Sequence, residues 1–185
     1  MATSRAQFLK EFFKRGNKVG SVAPSGRFLI RKMLKGLDFQ QASVVVELGP
    51  GDGCITRELI GKIGPQTKLF VFEMNETFVT QFLDFQDPRV VVVCDSAENV
   101  GKHLAAQGIT QVDYVISSLP LTLFPVELKT NIIREVHGLL RPGGILRQYQ
   151  YSTTAMKLLK AFFGKVKLDY TPFNIPPAFV YSCTK

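Results

Sequence analysis

The chain is 185 residues long, with 45% hydrophobic and 21% charged side chains, which suits one domain with a full core and excludes intrinsic disorder. Its net charge of +8 is unevenly placed: Met1–Lys35 carries nine basic residues against the single acid Glu11, and the remainder balances. That asymmetry points to a polyanionic partner for the leader, either a membrane surface or a nucleic acid. No apolar run reaches the ~18 residues of a membrane span, and the first residues lack the apolar core of a signal peptide. Cys54, Cys94 and Cys183 are far apart and form no C-x-x-C. They read as buried small hydrophobes in a reducing, cytoplasmic compartment, and no metal site is expected.

The first predicted element is a helix in RAQFLKEFFKRGNK, where Phe8, Leu9, Phe12 and Phe13 share one face flanked by Lys10, Lys14 and Arg15. Phenylalanine at this density beside cations suits a helix lying in a bilayer interface; the plainer alternative is an N-terminal helix packed on the body. A loop through Gly20, Ser21 and Pro24 follows. Then Ser25 is placed to cap a second amphipathic helix that begins with Phe28, Leu29, Met33 and Leu34. Residues 1–35 are thus a basic helical leader and 36–185 the main domain.

The main domain opens with VVVELGPGDGCITREL. Val44–Leu48 makes a buried strand, Gly49, Gly51 and Gly53 make a turn, and Ile55, Leu59, Ile60 and Ile63 make one helical face. Such a turn lets a ligand lie against the main chain, but three glycines also make an ordinary tight loop. The acid that follows strengthens the first reading. KLFVFEMN is a second strand ending in Glu73, and the 20-residue step from Gly53 is the spacing at which an acid meets ribose hydroxyls. The alternative for Glu73 is a cap on the next helix. RVVVVCD is a third strand ending in Asp95. Ligands of open α/β sheets sit outside the carboxyl ends of the strands, and all these residues would line that edge.

Strand four is VDYVISS and runs into Leu119–Pro120–Leu121. A helix from Pro125 to Leu140 follows, and Arg141–Gly144 is read as the turn that closes it. His137 and His103 are assigned to the last turns of helices, where a cation favours the dipole. GILRQYQY is strand five, and Val166–Tyr170 and Ala178–Ser182 form an antiparallel hairpin whose connection carries Pro172, Pro176 and Pro177.

ELGPGDG, FVFEMN, VVCDSAEN, DYVISSLP and RPGG, in that order, resemble the motifs of class I S-adenosylmethionine-dependent methyltransferases. The leader FLKEFFKRGNKVGSVAPSGRFLIRKM resembles that of the bacterial phospholipid N-methyltransferases, which methylate phosphatidylethanolamine. The resemblance implies an α/β fold: a single Rossmann-like domain on a mostly parallel seven-stranded sheet with an antiparallel C-terminal strand, plus the N-terminal amphipathic helices. It implies S-adenosylmethionine as cofactor, held by Gly20, Ser21, Glu47, Gly49, Gly51, Gly53, Glu73, Met74, Asp95, Ser96 and Ser117. Asp95 would accept from the adenine amino group. In amino-methylating enzymes the segment after strand four accepts hydrogen bonds from the target amine. Ser117, Ser118, the Leu119 carbonyl and Pro120 hold those places here. Leu121 stands where a base-stacking aromatic would be, which argues against a nucleobase and for a small amine. Gln148, Tyr149 and Tyr151 match a Q-x-x-Y pattern in which a Tyr151 hydroxyl would meet the headgroup; packing is the alternative. The expected partners are an anionic membrane surface and an aminophospholipid, met by a monomer that is peripheral to the membrane and binds no nucleic acid. A ribosomal RNA or DNA adenine methyltransferase and a noncatalytic cofactor-binding protein stay open beside this reading.

Overall fold

The computed structural model describes residues 26–82 and 86–185. The Phe8–Phe13 helix, Gly20, Ser21 and Ser25 lie outside the described residues, but Ser25 is not the N-cap it was expected to be: the helix begins at Arg27, so Gly26 holds the N-cap position and no side chain caps it.

Helix α1 (Arg27–Leu34) precedes β1 (Val44–Leu48), α2 (Cys54–Ile60), β2 (Lys68–Phe72), α3 (Glu76–Phe82) and β3 (Val90–Val93). A short 3-10 turn (Ala97–Asn99) leads into α4 (Val100–Ala105), then β4 (Val112–Ser117), α5 (Val126–Leu139), β5 (Leu140–Gln150), α6 (Met156–Phe162), β6 (Lys165–Thr171) and β7 (Ala178–Thr184). The seven strands form one sheet in the order β3-β2-β1-β4-β5-β7-β6. β1 to β5 pair in parallel, and β7 runs antiparallel to both β5 and β6. This is the expected Rossmann-like sheet. The order reverses direction at β1, so the crevice beside β1 and β4 is the switch point where such sheets bind ligands.

β1 is buried along its whole length, as a central parallel strand between two helical layers must be. Alternation along the strands divides the core in two. Val45, Leu69, Val71 and Ile116 face α1 and α2. Val46, Phe70, Phe72 and Val115 face α4, α5 and α6. Helix α1 supplies fully buried Leu29 and Met33 to the first layer, so Arg27–Leu34 of the basic leader packs as part of the body. Among the described residues no helix is long and apolar enough to cross a membrane.

Two readings are corrected. Arg141–Gly144 is no free turn: β5 begins at Leu140, directly after α5, and Leu140 pairs with Val112 across a bulge. The bulge is pinned by Asp113. Its carboxylate takes the Arg141 Nε–H at 2.6 Å and the N–H groups of Ser43 and Val44 at 2.8 and 3.0 Å. Among the cysteines only Cys183 is buried, while Cys54 is half-buried and Cys94 exposed. Burial and the neighbouring Asp52 push the Cys54 thiol up to about 11, so it stays neutral.

Candidate active site

Gly49, Gly51 and Gly53 all adopt left-handed backbone, with φ of 68°, 56° and 76°. Two of them are also closely approached. A Cβ on Gly49 would lie 2.9 Å from Leu119 Cδ2, and one on Gly53 would lie 2.7 Å from the Phe82 ring. Over Gly51 there is nothing within 4 Å. The turn is therefore packed at its two ends and open in the middle, as a seat for a ligand on the main chain requires. Gly53→Ala adds both the positive-φ strain and the clash with Phe82, and should lower stability by roughly 1–3 kcal/mol in thermal denaturation.

Glu47, near the end of β1, is fully buried, and neither carboxylate oxygen has a hydrogen-bond partner; nor does the neighbouring Thr56 hydroxyl. Burial is the main cause that pushes this acid up to about 8; the Thr56 hydroxyl, close by but outside hydrogen-bonding geometry, lowers it in part, and the Glu73 and Asp52 charges raise it. In this state Glu47 is a neutral acid at pH 7, and a cation brought against it would favour its charged form.

Glu73 follows β2 and lines a narrow crevice with Gly49, Met74, Asp95, Ser96 and Leu119. It is nearly buried, and its Oε1 accepts the Asn75 N–H at 2.9 Å. Burial raises its pKa, against the lowering by the N–H groups of Asn75, Gly51 and Met74. The carboxylate is thus fixed beside the Gly51 backbone, where the spacing placed it. Asp95 lines the same crevice but is already engaged. Its Oδ1 accepts from the Ser96 N–H at 2.6 Å and Asn99 Nδ2 at 2.9 Å, and its Oδ2 lies 2.7 Å from His103 Nε2. Burial would raise this acid, but the hydrogen bonds from His103, Asn99 and Ser96 outweigh it and hold Asp95 below the usual carboxylate range. An adenine amino group would have to share or replace those donors. His103 therefore does more than serve a helix end. The spacing of four from Asn99 to His103 puts both on one helical face, and that was the available signal.

Ser118 N–H donates to the Leu48 carbonyl at 2.9 Å, which ties the end of β4 to the start of the glycine turn. Ser117 is buried, and its Oγ accepts the Leu119 N–H at 3.4 Å. Pro120 follows, half-buried. The Leu119 carbonyl, expected to meet the target amine, is instead taken up: Gln148 Nε2 and Gln150 Nε2 donate to it at 3.0 and 2.8 Å. Both glutamines lie on the same face of β5, and Gln150 was missed because only the pairing of β4 with β5 brings it there. This leaves the Ser117 and Ser118 hydroxyls as the acceptors the segment can offer. Tyr151 follows β5 on this edge, its ring 5.8 Å from that of Tyr149 in an edge-on contact. Burial and Tyr149 raise its phenol, so it is a neutral donor and no base at neutral pH.

These groups fit S-adenosylmethionine. The open turn at Gly51 admits the chain of the cofactor, Glu47 would meet its ammonium, and Glu73 its ribose. The fold and the donor set define a class I S-adenosylmethionine-dependent methyltransferase, and solved structures agree on the fold. The N-methyltransferase NodS from Bradyrhizobium japonicum superposes with a TM-score of 0.70 at 12% identity, over 84% of this chain and 93% of that one. The 1,6-didemethyltoxoflavin-N1-methyltransferase of Burkholderia thailandensis, which holds S-adenosylhomocysteine, gives 0.67 at 15% identity over 98% and 86%. No family model matches the chain. The ornithine lipid N-methyltransferase of Singulisphaera acidiphila is 33% identical over 95% of this chain and 93% of its own length. A ribosomal RNA small subunit methyltransferase H from Bordetella avium is 37% identical, but over only 43% of this chain and 23% of its own. The chain belongs to the family of bacterial lipid N-methyltransferases, and it is an enzyme that uses S-adenosylmethionine.

Proposed function

We propose that the enzyme methylates the primary amine of an aminolipid headgroup, of the phosphatidylethanolamine or ornithine-lipid type, at a membrane surface. The observation that carries this is the end of β4 and the loop after it. Ser118 there is only half-buried and can be offered to an amine, and the residue after Pro120 is a leucine turned into the core, 1% exposed. A planar base would have no ring there to stack on. The full-length likeness to a lipid N-methyltransferase supports the same choice.

S-adenosylmethionine supplies an electrophilic methyl group on a sulfonium. The rest is position and exclusion of water. The amine must arrive neutral; with a lysine-like pKa of about 10.4, losing its proton at pH 7 costs roughly 4–5 kcal/mol. The Ser118 hydroxyl accepts one N–H of the neutral amine and aims the lone pair, and the proton leaves to water. Ser118→Ala should lower kcat about tenfold and leave the affinity for the cofactor unchanged. Wild-type turnover in that variant would remove Ser118 from the mechanism. The acceptor itself is found with labelled cofactor and separate samples of phosphatidylethanolamine vesicles, ornithine-lipid vesicles and ribosomal RNA. Label in a lipid is expected; label in RNA alone would overturn the reading.

A further inference from the structure

Large apolar side chains left exposed on the body gather at one edge of the sheet. Phe173 and Ile175 are 74% and 82% exposed, Phe28 is 57% exposed, and Leu123 and Val126 are exposed as well. Topology explains the gathering. Gln150 at the end of β5 faces Phe179 of β7, and Thr171 at the end of β6 faces Ala178. The 172–177 connection therefore projects from the edge that carries Tyr151 and the Ser117–Pro120 segment. Leu123 and Val126 occupy the loop after β4 and the start of α5, on that same edge.

The connection is built to turn its apolar residues outward. Its one polar tip residue, Asn174, is 3% exposed and is used inward: Oδ1 accepts the Gly26 N–H at 3.0 Å, and Nδ2 donates to the Pro176 carbonyl at 2.7 Å. Phe173 and Ile175 on either side are left facing out. Phe28, unlike Leu29 and Met33 of the same helix, is exposed and places its ring 5.4 Å from that of Phe173. Behind this tip come phenols and then cations. Tyr170 is half exposed, and its carbonyl accepts from Lys32 Nζ at 2.9 Å. Arg27 and Arg31 line a groove along α1. Apolar tip, tyrosine and cation, in that order, follow the polarity of a bilayer from acyl chains to an anionic headgroup layer. Arg27, Arg31, Lys35 and Lys62 outnumber Glu58, the acid of that groove, so a purely apolar partner surface would leave most of this charge unpaired.

We propose that the 172–177 connection, together with Phe28, inserts into the headgroup layer of an anionic bilayer and seats the mouth of the methyl-transfer site on the lipid surface. This rests on the aminolipid reading above and adds a second contact, on the body itself, to the one expected of the leader. A shallow wedge at the site edge lets a headgroup amine enter without the lipid leaving the membrane.

The chain holds no tryptophan, so Phe173→Trp gives a single emitter at the tip. With vesicles of phosphatidylethanolamine and phosphatidylglycerol its emission should shift to the blue and be quenched by brominated acyl chains. An emission that vesicles leave unchanged overturns the wedge. If that unchanged emission is already blue in buffer, the tip is covered by the chain itself or by a second copy. In a second arm, Phe173→Ser with Ile175→Ser should lower methylation of vesicle lipid by roughly tenfold or more. It should match the wild type on the same lipid dispersed in detergent. Equal rates on vesicles overturn the wedge and leave the aminolipid reading standing. If the wild type labels no lipid in either form, it is that reading which fails, and the tryptophan signal still judges the wedge.

Discussion

Glu73→Ala should raise the dissociation constant for S-adenosylmethionine by roughly a hundredfold. Hydrogen bonds to a charged acceptor contribute about 1.5–3 kcal/mol each, and a carboxylate can take both ribose hydroxyls. The position supports this size of effect, because Glu73 lines the crevice, nearly buried and fixed by the Asn75 N–H at 2.9 Å. The same bond means that the variant also loses some stability, so melting and binding must be read separately. Isothermal titration on the folded variant is the check. Glu73→Gln keeps an acceptor and the Asn75 contact, and should lose less. A folded Glu73→Ala protein that binds the cofactor as the wild type does would reduce this acid to a cap on α3.

Glu47→Gln should change both how stability depends on pH and how cofactor binding does. Burial raises this acid from 4.5 to about 8. Between those values the folded protein holds a proton that the unfolded chain has lost. The stability Glu47 allows is therefore fully present below 4.5 and declines as pH rises toward 8, by up to about 1.4 kcal/mol per pH unit. Urea unfolding of the free enzyme across this range should show that slope, and Glu47→Gln should flatten it. A cationic ammonium placed against Glu47 favours its charged form. Binding below pH 8 should then release a proton, seen as a buffer-dependent heat in calorimetry, and affinity should rise with pH. Both effects should vanish in Glu47→Gln. Binding by the wild type without proton release would separate Glu47 from the ammonium.

The glycine turn and the acids at the strand ends were readable because their signals are local. β-branched runs mark the strands, positive φ demands glycine, and a 20-residue βα step sets the place of Glu73. The hairpin of β6 and β7 was legible for a similar reason. What stayed hidden depends on pairing between distant strands. Gln148 and Gln150 reach the Leu119 carbonyl only because β5 lies beside β4, and no spacing in the chain announces that. The start of β5 was lost to Pro142, Gly143 and Gly144, whose turn-like composition the Asp113 bulge overrides. His103 was placed by helix position alone, while its partner Asp95 sits across a loop at 2.7 Å. Phe28 was grouped with Leu29, Met33 and Leu34 as the apolar side chains of one amphipathic helix, yet its ring meets Phe173 at the rim.

A crystal structure with S-adenosylhomocysteine tests the central claim most directly. The account predicts the ligand chain over Gly51, the ribose on Glu73, the base between Met74 and Ser96, and the sulfur directed at Ser117 and Ser118. A ligand bound elsewhere, with the crevice between Gly49, Glu73 and Asp95 left empty, would contradict it.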